Sequence, residues 1–124
     1  NKKATGFFLM VEGAQIDKRA HENNFAGVIQ EVLDFDKAVA EAIAFADKDK
    51  NTLVIVTADH ETGGLSIKKG DIAQSSLEGN FSSKGHTPIM VPIFAYGPSS
   101  DNFKGVMENN EVMKKIISVL IKQK

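Results

Sequence analysis

Residues 52–64 read TLVIVTADHETGG. The first six are apolar or β-branched, a run too short for a helix but suited to a pleated, buried surface, and they predict a strand over residues 52–57. Asp59 and His60 follow at its carboxyl end, with Gly63 and Gly64 just behind them. Neighbours within a strand face opposite sides, so this carboxylate and imidazole share a ligand only if the chain leaves extended geometry there. The two glycines make such a bend accessible. In open parallel sheets ligands bind at the carboxyl ends of strands, which marks this junction as a candidate site.

Upstream, the turn-prone pair Asn23 and Asn24 precedes Val28, Ile29, Val32, Leu33, Val39, Ile43 and Ala46, which recur at helical spacing. They predict a long helix that frays over residues 47–50. A shorter helix is expected over residues 14–21. Before it, residues 6–11 read GFFLMV, a continuous apolar run that suits a strand buried on both faces in the middle of a sheet. Strand, helix and strand in this order form the pattern of a parallel α/β unit.

Downstream, residues 63–84 turn polar and glycine-rich and read as a long surface loop, with one short strand at residues 65–68. Residues 90–95 are a third buried-strand candidate, ended by Gly97 and Pro98. Residues 110–121 close the chain as an amphipathic helix built on Val112, Ile116, Ile117 and Leu120.

The 124 residues, 42% of them hydrophobic, suffice for one domain spanning residues 1–124 and not for two. Fifteen basic side chains against sixteen acidic ones leave a net charge of −1, so nothing in the balance points to nucleic acid or an anionic membrane. Lys114, Lys115, Lys122 and Lys124 read as the solvated face of the last helix. No apolar run approaches the roughly 18 residues of a membrane span. The chain opens on Asn1 rather than Met, and is expected to have been cut from a longer protein. It has no cysteine, which excludes disulfides and thiolate zinc sites; any metal must be held by His, Asp or Glu.

Candidates for that role stand at element ends. Asp17 and His21 are four residues apart, which on a helix places them on one face; taken alone, that spacing is more often an exposed ion pair than a metal site. His86 lies between the polar loop and the next strand, and a lone loop histidine is usually nothing. Glu12 directly follows the apolar run, where burial without a cation or hydrogen-bond donors would cost several kcal/mol. Together, all three histidines and three carboxylates occupy element ends or one helix face. Oxygen and nitrogen ligands without sulfur point to zinc or magnesium rather than copper or iron.

Three blocks carry a resemblance. VEGAQIDKRAH at residues 11–21, TLVIVTADHETGG at residues 52–64, and GHT at residues 85–87 followed by VPIFAYGP resemble, in this order, the metal-binding segments of alkaline phosphatases. The stretch around Phe103, Gly105 and Asn109 resembles the closing segment of that family. The resemblance implies an α/β fold: the C-terminal portion of a mixed, mostly parallel sheet flanked by helices. It implies phosphate-monoester hydrolysis through a phosphoserine, with phosphate monoesters and inorganic phosphate as partners, a homo-oligomer, and an extracytoplasmic (periplasmic or secreted) location.

By position, the resemblance makes Asp17, His21 and His86 the ligands of a first Zn2+, and Asp59 and His60 ligands of a second. An aspartate and the serine nucleophile of an N-terminal segment would complete that second site. Glu12 would bind Mg2+, and Lys18 would help hold phosphate through water. No Asp-Ser-Ala segment occurs here, and the single arginine, Arg19, does not match the family's phosphate clamp. Thr62 stands where some relatives carry a histidine that supports a zinc ligand, Pro88 where a glycine is common, and the loop at residues 65–84 is short. The chain is therefore expected to bind about one zinc and to be inactive alone. Another hydrolase or mutase of the same superfamily is a competing reading, which the GHT block and the closing segment disfavour; a non-catalytic metal-binding module is the other. A sheet short of its neighbours exposes an edge, so self-association is expected.

Overall fold

In the computed structural model, which describes residues 6–122, two helices lead into three short antiparallel strand pairs and a closing helix. The elements are α1 (Ala14–His21), α2 (Phe25–Asp49), β1 (Val54–Thr57), β2 (Glu61–Thr62), β3 (Ser66–Asp71), β4 (Ser76–Asn80), β5 (His86–Thr87), β6 (Ile93–Tyr96), a 3-10 turn (Ser100–Phe103) and α3 (Asn109–Lys122).

The long helix has clear ends. The Asn24 side chain accepts a hydrogen bond from the Gly27 amide at 2.9 Å, satisfying one of the donors that a helix start leaves open. At the other end Lys50 adopts the left-handed conformation, φ 62°, and its amide returns to the Ala46 carbonyl. α1 packs against α2, and Ala20 of α1 and Val28 and Ala46 of α2 are buried.

The strands pair as β1 with β6, β2 with β5, and β3 with β4, all antiparallel. Thr57 lies opposite Ile93, Glu61 opposite Thr87, and Thr62 opposite His86. The α/β class of the sequence reading stands, but its parallel β-α-β unit is not formed among the described residues. Residues 6–11 join no ladder and are not a buried mid-sheet strand: Phe7 is 66% exposed and Met10 72%. A run apolar on both faces needs cover on both. The aromatic contact formed here is an edge-on approach of Phe7 to Phe45 of α2, with ring centroids 6.3 Å apart.

Two further expectations are corrected. The stretch read as a loop with one short strand carries the hairpin β3–β4, whose residues are almost all exposed, so neither strand shows the alternation of a half-buried sheet. The strand expected over residues 90–95 forms at Ile93–Tyr96, and Met90 is 78% exposed. Pro88 and Pro92 bring no amide proton to a ladder, which accounts for the delayed start.

The chain exposes 9571 Å², against about 6500 Å² for a compact monomer of this size. Its buried apolar residues, among those described, are Ala20, Val28, Ala46 and Phe103. Much of the apolar surface made by these elements is therefore left uncovered, including that of Phe8, Leu9 and Val11.

Candidate metal centre

α1 turns Asp17 and His21 to the same side, one helical turn apart, with His21 Nε2 3.4 Å from Asp17 Oδ1. β5 supplies His86 from far along the chain: its Nε2 lies 3.2 Å from His21 Nε2 and 3.8 Å from Asp17 Oδ1. The three side chains each offer one ligand atom, and these atoms lie within 4.8 Å of one another, a group able to hold a metal ion. The other ring nitrogen of His21, Nδ1, sits 2.5 Å from the Lys84 carbonyl. A carbonyl only accepts, so Nδ1 carries a proton, and in the neutral ring it is the Nε2 lone pair that faces the cluster.

At the end of β1 the chain bends at Asp59, as the sequence reading required. His60 Nε2 comes to 3.4 Å from Asp59 Oδ2, and the His60 ring stacks on that of His86 with centroids 3.5 Å apart and planes 21° from parallel. Asn109, at the start of α3, donates from its side-chain amide to the Asp59 carbonyl at 3.2 Å and ties the bend to the last helix. Gly63 makes the next turn at φ 88°; a Cβ there would come within 2.7 Å of the Phe81 ring, so the position favours glycine on two counts. Its amide donates to the Gly85 carbonyl at 2.9 Å, and its carbonyl accepts from Ser82 and Ser83 at 3.0 Å, drawing the segment before His86 back to β2.

Thr62 is buried between the two groups. Its hydroxyl donates to Asp17 Oδ1 at 2.6 Å and lies 3.1 Å from His60 Nδ1. The single hydroxyl proton is committed to the carboxylate, so His60 donates from Nδ1 to the Thr62 oxygen, and in the neutral ring the Nε2 lone pair is directed toward Asp59. The hydrogen bond from Thr62 does most to hold the Asp17 carboxyl below the usual carboxylate range; it outweighs burial, which pushes the other way, and His21, His60 and His86 add to it. Burial pushes Glu61 up, but hydrogen bonds from the Thr87 hydroxyl and the Leu65 and Gly64 amides, with His60 nearby, bring it net below the usual range.

Five of the residues singled out in the sequence, Asp17, His21, His86, Asp59 and His60, thus lie in one connected cluster. Glu12 and Lys18 do not join it: both are exposed, and Glu12 meets no desolvation, because the apolar run before it is exposed too. The sequence reading missed the part of Glu61, of Thr87 and of the Lys84 carbonyl, and treated Thr62 only as a departure. The signal available was two hydrogen-bonding side chains, Glu61 and Thr62, set between the Asp-His pair and the glycines.

A family model described as alkaline phosphatase matches residues 1–80, a stretch that holds Asp17, His21, Asp59 and His60 but not His86. The chain is 32% identical to alkaline phosphatase 3 of Bacillus subtilis over 97% of its own length and 41% of that relative. That alignment runs over 190 positions, so the relative carries residues within the matched region that this chain lacks. Among solved structures, the alkaline phosphatase from the Antarctic bacterium TAB5 superposes with a TM-score of 0.84 at 47% identity, covering 92% of this chain and 35% of that one. An altered form of the TAB5 enzyme, described with Mg bound, matches with a TM-score of 0.82 at 46% identity. The chain spans less than half the length of these proteins.

Proposed function

Because the chain belongs to the alkaline phosphatase family, we propose that it provides the metal-binding portion of a zinc- and magnesium-dependent phosphate-monoester hydrolase, one domain from the C-terminal part of that enzyme. Asp17, His21 and His86 hold a first Zn2+; Asp59 and His60 contribute to a second; Glu12 contributes to Mg2+. Lys18, exposed beside Asp17 on α1, offers a cation toward phosphate.

One observation carries the reading. Zinc bonds of about 2.0–2.1 Å in a tetrahedron place neighbouring ligand atoms about 3.3 Å apart. The Asp17, His21 and His86 atoms are separated by 3.4, 3.2 and 3.8 Å, and Asp59 Oδ2 and His60 Nε2 by 3.4 Å. Two ring nitrogens facing each other at 3.2 Å need a proton or a cation between them, and a carboxylate on the third side favours the cation. The tautomers set by Lys84 and Thr62 leave the Nε2 lone pairs of His21 and His60 ready to coordinate.

A zinc ion held there would supply Lewis acidity toward a phosphoryl oxygen and acidify an attacking water. The chain's own residues do the rest within reach: Thr62 holds the Asp17 carboxylate charged and in place, and the His60 ring, stacked on His86, limits the rotation of both imidazoles. With no Asp-Ser-Ala segment in these 124 residues, the chain alone does not turn over esters. Phosphate monoesters and inorganic phosphate are its ligands as part of the intact enzyme, self-association follows from the uncovered apolar surface, and an extracytoplasmic location goes with the family reading. No helix among the described residues is long and apolar enough to cross a membrane.

Cobalt substitution tests the metal centre. Co2+ added to the chain is expected to give the intense visible absorption of a tetrahedral site, lost in His21→Ala; a weak octahedral spectrum unchanged by the variant contradicts the assignment. No phosphate release from a chromogenic monoester is expected, and serine-dependent release would contradict that part.

A further inference from the structure

We propose that Glu61 is a positioning residue that sets His86 in its place by clamping β5 to β2, an inference that rests on the metal-centre reading above for its functional meaning. The triad is built from two sources of unequal firmness. Asp17 and His21 share α1, a helix packed on α2, and their spacing is fixed by helical geometry. His86 comes from a strand of two residues, paired with another strand of two residues. Two registered pairs are a weak ladder, since an isolated two-stranded pairing is marginal in water.

Side chains supply what the ladder lacks. Glu61 lies opposite Thr87 in the register and accepts a hydrogen bond from the Thr87 hydroxyl. The same carboxylate accepts from the Gly64 and Leu65 amides, both at 3.1 Å, so one group ties the His86 strand to the turn that follows His60. All three donors meet a half-buried carboxylate, where charge-assisted bonds are stronger than neutral ones. Glu61 itself does not join the group of ligand atoms around Asp17. His86 follows: it neighbours Thr87 and pairs with Thr62, the residue whose hydroxyl bonds Asp17. Releasing Thr87 frees β5 to slide or lift, and the 3.2 Å approach of His86 to His21 is the first distance to change.

The experiment compares the 124-residue chain with Glu61→Ala, Glu61→Gln, Thr87→Val, Thr87→Ser and His86→Ala, read by zinc calorimetry and by metal-free NMR. Supporting residues around metal ligands typically cost ~10–100-fold in affinity when removed. Glu61→Ala and Thr87→Val are expected to weaken zinc binding within that range, and their double variant no further than Glu61→Ala, which already removes the Thr87 bond together with those from Gly64 and Leu65. Thr87→Ser, which keeps the hydroxyl, should bind as the parent does, and Glu61→Gln should fall between. In the metal-free chain, cross-strand contacts between Thr62 and His86 should be lost in Glu61→Ala while those between α1 and α2 persist. If Glu61→Ala retains both parental affinity and the Thr62–His86 contacts while His86→Ala loses zinc, the clamp is overturned and the metal reading stands. If His86→Ala binds like the parent, the metal reading falls and takes the functional meaning of the clamp with it.

Discussion

The Nε2 atoms of His21 and His86, 65 positions apart in the chain, face each other at 3.2 Å. His21 reaches that point from a helix with its Nδ1 anchored on the Lys84 carbonyl, and His86 from a strand end held by its neighbours. Asp17 stands at 3.4 and 3.8 Å from the pair.

Replacing Thr62 with valine removes the hydroxyl that bonds Asp17 and receives His60. The Asp17 carboxyl, held below the usual range mainly by that bond, should titrate higher. A depressed folded pKa contributes stability that is present above the unfolded carboxylate value and is lost as pH falls through the folded one. The parent should therefore keep an advantage over Thr62→Val at neutral pH that fades below about pH 4. Asp17 is 42% exposed, so solvent screening keeps the difference near 1 kcal/mol or less. Carboxyl titration by NMR and urea unfolding at two pH values check this; an unchanged Asp17 titration contradicts it.

Much of this site is legible in the sequence because short-range geometry dictates it. Four residues of helix bring Asp17 beside His21, and the bend after TLVIVT is required if Asp59 and His60 are to approach each other. Pairing direction is not legible in the same way, since it depends on what lies alongside. GFFLMV looks like a central strand by composition, yet here it has no ladder to join. Of the β3–β4 hairpin only the start of β3 is legible, as the short strand at residues 65–68, because strands exposed on both faces carry no period of two, and the turn at residues 72–75 has no Asn-Gly or Asp-Gly signal. Glu61 is not legible as a site residue in sequence, because a charged residue beside a glycine turn reads as solvated, and its three donors come together only in the fold.

At the ends of α2 the backbone makes two predictions of opposite sign. Asn24→Ala should destabilise by about 1 kcal/mol through loss of the cap on Gly27. Lys50→Gly should stabilise by about 1 kcal/mol, because lysine at φ 62° carries a steric penalty that glycine does not. Urea midpoints moving in the same direction for both variants would contradict this account of the helix.

The exposed run at residues 7–11 should drive self-association. Replacing Phe8 with serine and Met10 with lysine removes two large apolar side chains from it and should weaken association by about tenfold or more. Sedimentation of the parent and the double variant checks this. A parent that stays monomeric at high concentration contradicts it.

Zinc stoichiometry by calorimetry, on the chain beside Asp17→Ala and His86→Ala, tests the central claim most directly. The account predicts one tight site per chain, weakened in both variants by more than the ~10–100-fold that a supporting residue costs. Binding that survives both substitutions unchanged, or no binding by the parent chain, would contradict the assignment of Asp17, His21 and His86 as a metal centre.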